Sequence, residues 1–587
     1  MKQSYFVTTA LEETWSVHNK IIFADEACCL YDRRHIWEKC DHTIVPHHWR
    51  YKKKFEADYD YLTKLYEVKL VELSAKLNVI HNVNYSLKFW RVVIGPWLAY
   101  FIHLLFDRWQ TVVQSKKNYG TFKTIILLFK DDQATPVDME DFISKIKSDE
   151  WNHIVYSSIL ELELGKNQIV YKEINKKINK NIKPYKSIKS IVKEKLSSLS
   201  YFLSKNNKVF IANSYLNMRD LFTLNFKLGM WPILYKQEEV PENKASYVYR
   251  DTIDLNLNIG DDFEKILAHN VKKFIPICYV EGFDAINKKI ARLSWPKCPN
   301  VIYTANFLFH DTIAMFYTAK HVETGAKLVY GQHGGVYGQA LFSWAESHER
   351  AISDKYLTWG WQSFVSENIV PIGMINRKKQ VVYHEDNKTN KTKLLLVLTS
   401  SPRYSFRLDS SVKKIGLPYI TSNFEFANEL TTSIRKNDLL IRHHPADNGW
   451  GQVSRWNDKY PEVRSDSGSL NISKLLKKSK LVVYTCNSTG YLEYMAQNMP
   501  TIVYFNLDSE PLREDAKPFF EKLKQVGIYH ETPQSAAKHV NAVWDNIELW
   551  WCSSEVQAAK EEFCHNFALD NHNLIEDLNN VFLEVLD

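Results

Sequence analysis

The sequence predicts an α/β protein of two parallel-sheet domains facing a central cleft, with additional helices. Two observations carry this expectation. Short β-branched or aromatic runs alternate with helical patterns along most of the chain, and the alternation restarts after the polar stretch from His384 to Lys393. Strands alternating with helices imply parallel sheets covered on both faces. The 587 residues are 45% hydrophobic and 24% charged, with 19 glycines and 18 prolines, which gives material for several domains and excludes a disordered or fibrous chain.

In chain order, SYFVTT (4–9) and IIFA (21–24) read as short strands, followed by a polar region and a long Lys/Glu/Leu helix from about Tyr51 to His81. Residues 89–106, FWRVVIGPWLAYFIHLLF, reach the lower length limit for a membrane span. Arg91, the Gly95-Pro96 break and His103 make a buried helix pair or an interfacial helix the better expectation. TIILLF (124–129), KVFIAN (208–213), VIYTAN (301–306), KLVYGQ (327–332) and DKYLTWG (354–360) repeat one strand-and-turn unit. After Arg377-Lys378-Lys379 come LLLVLTS (394–400), DLLIRHHP (438–445), KLVVYTCNS (480–488) and PTIVYFN (500–506), with helices expected at 424–435, 472–478, 518–525, 533–544 and 553–567. This pattern describes two Rossmann-like domains, whose ligands bind beyond the carboxyl ends of the strands. The expected boundaries are 1–370 with helical insertions at about 51–112 and 166–200, then 371–555, then C-terminal helices over 556–587.

Composition narrows the partners. A net charge of +7 is modest for this length and favours phosphates or an anionic surface without calling for nucleic acid. Lys166 to Lys195 holds ten lysines against two glutamates, read either as a solvated helical face or as a patch for anionic lipid headgroups. The eight cysteines lack the spacing of a disulfide framework or zinc site, and the N-terminus shows no signal-peptide core, so a cytoplasmic protein with reduced thiols is expected.

Three strand ends concentrate unusual polar groups. Tyr330 to Gly338 places four glycines around His333, beside Gln332 and Tyr337. Such a loop can present amides to an anion, with His333 as general base, phosphate donor or simple support of the turn. Ile441 to Asp447 ends a strand in Arg442, His443, His444 and Pro445; arginine suits phosphate, and adjacent histidines on a strand point to opposite faces, which disfavours a shared metal. Val483 to Ala496 runs through Asn487, Ser488, Thr489 and Gly490 into a helix carrying Glu493, which serves equally as an anion site or an ordinary capped helix. Asp25-Glu26 follows the IIFA strand, and Glu26 is a candidate base. Asp58-Tyr59-Asp60 lies within a predicted helix and makes a poor metal motif; His42, His47 and His48 read as loop surface; Trp359 and Trp361 read as packing; Cys486 reads as a small packing residue.

The ordered set QHGG (332–335), RHHP (442–445) and NSTGYLE (487–493) resembles GT-B glycosyltransferases of bacterial capsule and lipopolysaccharide pathways. These include transferases using CMP-Kdo or CMP-nonulosonic acids, and CDP-glycerol glycerophosphotransferases. FVTTALEETW with DEACCLYD (25–32) resembles more closely a transferase family of lipopolysaccharide loci, of the spirochaete type, over most of the chain. Ala27 and the extra His443 depart from the pattern.

The resemblance implies an acceptor-side N-terminal domain and a nucleotide-sugar-binding C-terminal domain. Gln332, Gly334, Gly335, Arg442, His444, Pro445, Asn487, Ser488, Thr489, Gly490 and Glu493 would hold the donor, and His333 or Glu26 would act on the acceptor hydroxyl. It further implies metal-independent transfer of a Kdo-like or nonulosonic sugar from a CMP-linked donor to a glycan or lipid-linked glycan at the cytoplasmic face of the inner membrane, with peripheral contact to anionic lipid. A CDP-polyol phosphotransferase and a UDP-sugar epimerase remain open on the same motifs.

Overall fold

The computed structural model describes residues 3–129, 134–174, 188–257, 261–363, 368–375, 392–408 and 416–587. The expected linker, with Arg377-Lys378-Lys379, lies outside the described residues. So do the side chains over most of the lysine-rich stretch.

Among the described residues four parallel sheets form, and the two nearest the chain start join through a Tyr5–Lys123 bridge into one. The N-terminal sheet holds β1 (Ser4–Val7), β2 (Lys20–Phe23) and β3 (Asp41–Ile44), and a second parallel pair, β4 (Thr124–Phe129) with β5 (Ile169–Ile174). Phe6 N–H donates to Lys123 O at 2.7 Å and Lys123 N–H to Ser4 O at 2.9 Å, which sets β4 beside β1 and the order β5-β4-β1-β2-β3. The run 124–129 therefore joins the chain start rather than the later strands with which its pattern groups it. The middle sheet runs β10-β9-β8-β7-β6, from β6 (Val209–Ile211), β7 (Val301–Thr304), β8 (Lys327–Gly331), β9 (Lys355–Thr358) and β10 (Ile369–Pro371).

The C-terminal sheet comprises β11 (Lys393–Val397), β12 (Leu439–Arg442), β13 (Arg464–Asp466), β14 (Ser479–Tyr484), β15 (Thr501–Tyr504) and β16 (Tyr529–His530). Its order, β13-β12-β11-β14-β15-β16, reverses at β11, because the chain goes next to one neighbour and later returns to the other. In such sheets a crevice opens at the carboxyl end of the reversal. Here it lies between the ends of β11, β12 and β14.

Residues 89–106 belong to one continuous helix, Leu87–Tyr119, rather than to a pair. Ser86 caps its start by accepting from Phe89 N–H at 3.2 Å, and Gly120 (φ +69°) ends it. The missing side chain of Gly95 admits His348 and Tyr66, against which a Cβ would lie at 2.9 Å, and the helix continues through Pro96. It is the one described helix long and apolar enough to cross a membrane, and 94% of its apolar window is buried within the protein. The last helix, Leu574–Leu586, returns to the middle sheet, where Leu574, Leu578 and Phe582 join the cluster of Val209, Val301 and Leu357.

Burial holds several histidines neutral. His48 and His153 are pushed down to about 4, and His103 and His348 to about 3. In the unfolded chain these rings titrate near 6.5, so between pH 6.5 and about 4 the unfolded state binds more protons and stability falls with pH. Each contributes about 1.4 kcal/mol per pH unit across that window. The thermal midpoint is therefore expected to drop steeply from pH 7 to pH 5 in a scanning-calorimetry series, and His103→Phe, which removes a titrating ring at similar volume, to flatten the slope.

Candidate functional site

Strand β12 delivers the RHHP turn to the crevice. Arg442 is ion-paired with Asp466, whose carboxylate also accepts from Gly468 and Leu470 N–H, each at 3.2 Å. Burial pushes Asp466 up, but the Arg442 guanidinium and these amides overcome it and hold the carboxyl below its usual range. Arg442 thus braces the neighbouring loop. His443 is buried and pushed down to about 4 by desolvation, and its amide donates to Asp466 O at 2.9 Å. His444 is exposed. Its Nδ1 lies 3.1 Å from both the amide nitrogen and the carbonyl oxygen of Ala446, which fixes the ring against its own turn. Pro445 packs on Gly468 (φ +95°), where a Cβ would come within 2.6 Å of the proline.

Strand β14 delivers the second element. Thr485 pairs with the Tyr419 hydroxyl at 2.5 Å; Asn487 N–H donates to Glu510 at 2.8 Å, and its side-chain oxygen accepts from Tyr491 at 3.1 Å. The helix Thr489–Ala496 then begins, with Ser488 at the N-cap making no side-chain capping bond. Gly490 lies against the Tyr484 ring, and Glu493 is buried beside Tyr484 and Tyr494.

The Gly-rich loop of the middle sheet meets the same helix. Gly335 N–H donates to Thr489 Oγ1 at 3.0 Å, and a Cβ on Gly335 would lie 2.7 Å from Thr489 Cα, a distance only glycine permits. Gln332 is buried and hydrogen-bonded at both ends of its side-chain amide: the nitrogen donates to Gly334 O at 2.8 Å, and the oxygen accepts from Trp359 N at 3.0 Å and Trp361 Nε1 at 2.8 Å. It shapes the loop rather than facing a ligand, and both tryptophans pack as expected. His333 Nδ1 lies 3.1 Å from the buried Glu349 carboxylate, which also accepts from Tyr337 at 3.2 Å and Tyr356 at 2.9 Å. Glu349, on the helix Trp344–Ile352, was missed because its sequence shows only an ordinary helical charge.

Glu26 stands elsewhere on the same edge. It opens a short turn after β2, and its Oε2 accepts from Leu417 N–H of the C-terminal domain at 3.2 Å. It lines a cavity of about 760 Å³ with Asp25, His47, Arg50, Arg403 and Ser405, among others. Desolvation raises both carboxyls, with each other's charge adding for Glu26. No described contact joins Glu26 to His333.

His47 and His48 are not loop surface. Both Nε2 atoms converge on Asp107 Oδ1, at 3.1 and 3.0 Å, and Arg108 donates to the other Asp107 oxygen at 2.5 Å. His47 Nδ1 accepts from Trp49 N–H at 3.2 Å, which leaves Nε2 to donate to Asp107. Asp58 is likewise committed, accepting from Trp49 Nε1 and Lys54 Nζ at 2.7 Å each.

Parallel sheets whose carboxyl edges meet at a glycine loop and an uncapped helix start define an α/β protein with a crevice between its middle and C-terminal sheets. The family described as LIC12162 family transferase matches residues 4–582, so the chain belongs to that family and is a transferase. No curated protein matches it. Among solved structures it is similar to MurG of Acinetobacter baumannii (11% identity, 67% of this chain and 96% of that one, TM-score 0.33). It is also similar to MnaA of S. aureus with UDP (12%, 64% and 96%, TM-score 0.35) and to the wall teichoic acid polymerase TagF (12%, 68% and 96%, TM-score 0.30).

Gly335→Val is expected to force the loop off the helix start, costing about 1–3 kcal/mol of stability as overpacking does. Transfer activity should fall by far more than that stability loss explains, with circular dichroism unchanged.

Proposed function

We propose that the protein is a metal-independent glycosyltransferase that moves a sugar from a CMP-linked donor to a surface polysaccharide or lipopolysaccharide acceptor. The observation that carries this is the start of the helix Thr489–Ala496 at the reversal of the C-terminal sheet, with Ser488 making no capping bond and the exposed His444 following β12 at the same carboxyl edge. First-turn amides and a helix dipole favour a phosphate there.

The chemistry follows from the donor. A glycosyl–phosphate bond breaks through an oxocarbenium-like state, in which the departing phosphate gains charge while the acceptor hydroxyl loses its proton. Helix amides and His444 stabilise the leaving phosphate. Glu26, kept basic by burial, takes the acceptor proton, and His333, tied to Glu349, orients the glycine loop over the donor. Asn487, Gly490 and Glu493 shape the cradle from within. The donor sugar is a Kdo-like or nonulosonic acid, and the enzyme works at the cytoplasmic face of the inner membrane.

Titration with CMP, CDP, UDP, GDP and dTDP is expected to raise the thermal midpoint for CMP above the others, by mass action on the native state. His444→Ala should abolish that rise; a preference for UDP or dTDP, or no response, contradicts the reading. Glu26→Gln is expected to keep CMP binding while lowering transfer by roughly 10²–10⁴-fold. Because the Glu26 carboxyl is raised, the acid limb of the pH–rate profile should lie above the ordinary glutamate range, with rate lost as pH falls through it. EDTA should leave the rate unchanged.

A further inference from the structure

The helix Ile188–Ser204 turns the wrong side chains to water. Its inward side is formed by Ser197, Tyr201 and Ser204, all buried. The segment after Trp231 seals that side, where Leu234 N–H donates to Ser200 Oγ at 3.1 Å and Lys236 N–H to the Tyr201 hydroxyl at 2.7 Å. Its outward side carries Leu196, Leu199, Phe202 and Leu203, which the helical period places within about a third of a turn of one another. A surface helix ordinarily turns its apolar stripe to the core.

A second helix repeats the arrangement across the same strand. β6 is an edge strand of the middle sheet. On one face Phe210 meets Trp295, which in turn meets Tyr201; on the other, Val209 and Ile211 cluster with Leu221 and Leu224 of the helix Met218–Lys227. Met218, Phe222 and Phe226 recur at every fourth residue on the outward side of that helix. The Phe226 ring lies 6.0 Å from Phe222 and 6.4 Å from Trp231, whose carbonyl accepts from Asn207 Nδ2 at 2.8 Å just beyond the end of the first helix. Phe202, Phe222, Phe226 and Trp231 are all the exposed Phe and Trp side chains among the described residues. Single exposed apolar residues are ordinary, but their concentration on one face marks an interaction surface.

The charge around this face is positive. Residues 196–236 hold five Lys and Arg against one acid, Asp220, and the ten lysines of 166–195 lead directly into them in sequence. Lys227 is paired with Glu576, but among the described residues no carboxylate pairs with the exposed Lys205, Lys208 or Arg219. The centre of a protein–protein interface is depleted in lysine, whereas an anionic bilayer takes apolar side chains below its headgroups and lysines at its phosphates.

We infer that the face from Leu196 to Trp231, around the edge strand β6, docks on an anionic phospholipid bilayer. Leu199, Phe202, Phe226 and Trp231 enter the acyl boundary, and Lys205, Lys208 and Arg219 meet lipid phosphates. The helix Met218–Lys227 begins beyond the carboxyl end of β6, and Tyr215 just before it bonds to Asn306 beyond β7, so the docked face reaches the edge at which the His333 loop leaves β8. A membrane-anchored acceptor then meets the crevice without leaving the bilayer. The inference rests on the transferase reading for that acceptor; the docking surface stands without it.

The test is co-sedimentation of the full chain with vesicles of phosphatidylcholine, alone or with about a third phosphatidylglycerol, for the wild type, Leu199→Ser/Phe202→Ser, Phe226→Ser/Trp231→Ser and Lys205→Glu/Lys208→Glu. The wild type is expected to bind the anionic vesicles about tenfold tighter than the neutral ones, and each double variant to lose about tenfold on the anionic vesicles. Thermal midpoints should stay level, because every replaced side chain is exposed. Brominated phosphatidylglycerol should quench tryptophan fluorescence more in the wild type than in Trp231→Phe. Vesicle binding retained in His444→Ala, which loses CMP, supports the surface separately from the donor reading. Absence of binding to anionic vesicles, unchanged binding in the variants, or a self-associated chain that the apolar variants make monomeric in sedimentation overturns the inference.

Discussion

The arrangement of the site depends on one close approach: Gly335 to the start of the helix Thr489–Ala496, at 3.0 Å from amide to Thr489 hydroxyl, with no room for a side chain. Around it the middle and C-terminal sheets are stitched by further contacts. Leu341 N–H donates to Pro511 O at 2.9 Å, Tyr491 donates to Gln339 at 2.9 Å, and Arg513 reaches the buried Glu346 at 2.5 Å. The chain end adds a strap, since Leu569 accepts from Met374 N–H and donates its own amide to Trp359 O, each at 2.9 Å. The helix start at Ser488 therefore lies on a seam whose two sides come from different sheets.

The N-terminal sheet meets the C-terminal domain differently, through buried charge. Arg403 pairs with Asp149 and also donates to Ala27 O, while Arg108 bridges Asp107, Asn152 at 2.9 Å and the Ser405 carbonyl. Such ions are costly to bury alone, and here each is paired with a carboxylate and bonded to a carbonyl across the boundary. His47, 3.1 Å from Asp107 and 4.0 Å from Asp25, links this network to the carboxylates of the cavity.

Central strands were legible in the sequence because they are buried on both faces and read as continuous apolar runs. The strands that escaped notice, β3, β5, β10, β13 and β16, all lie at sheet edges. Edge strands are short and half solvated, and Arg464–Asp466 or Tyr529–His530 carries no such run. Pairing of β4 with β1 was invisible for another reason: two long helices separate them, and nothing in an apolar run names its neighbour. At the site, the motifs announced His333, His444 and Ser488, but not their partners. Glu349, Asp466 and Asp107 look like ordinary charged residues until tertiary packing buries them. Gln332 shows the converse, a polar residue in a Gly-rich motif whose side chain ties its own loop to Trp359 and Trp361 beyond β9.

Amide hydrogen exchange with and without CMP tests most directly the claim that the donor sits on the seam between these sheets. The account predicts slowed exchange at 443–448 and 486–492, spreading through the Gly335 contact to 332–338. Protection confined to the middle sheet away from that loop, or none in these segments under conditions where CMP binds, would contradict it.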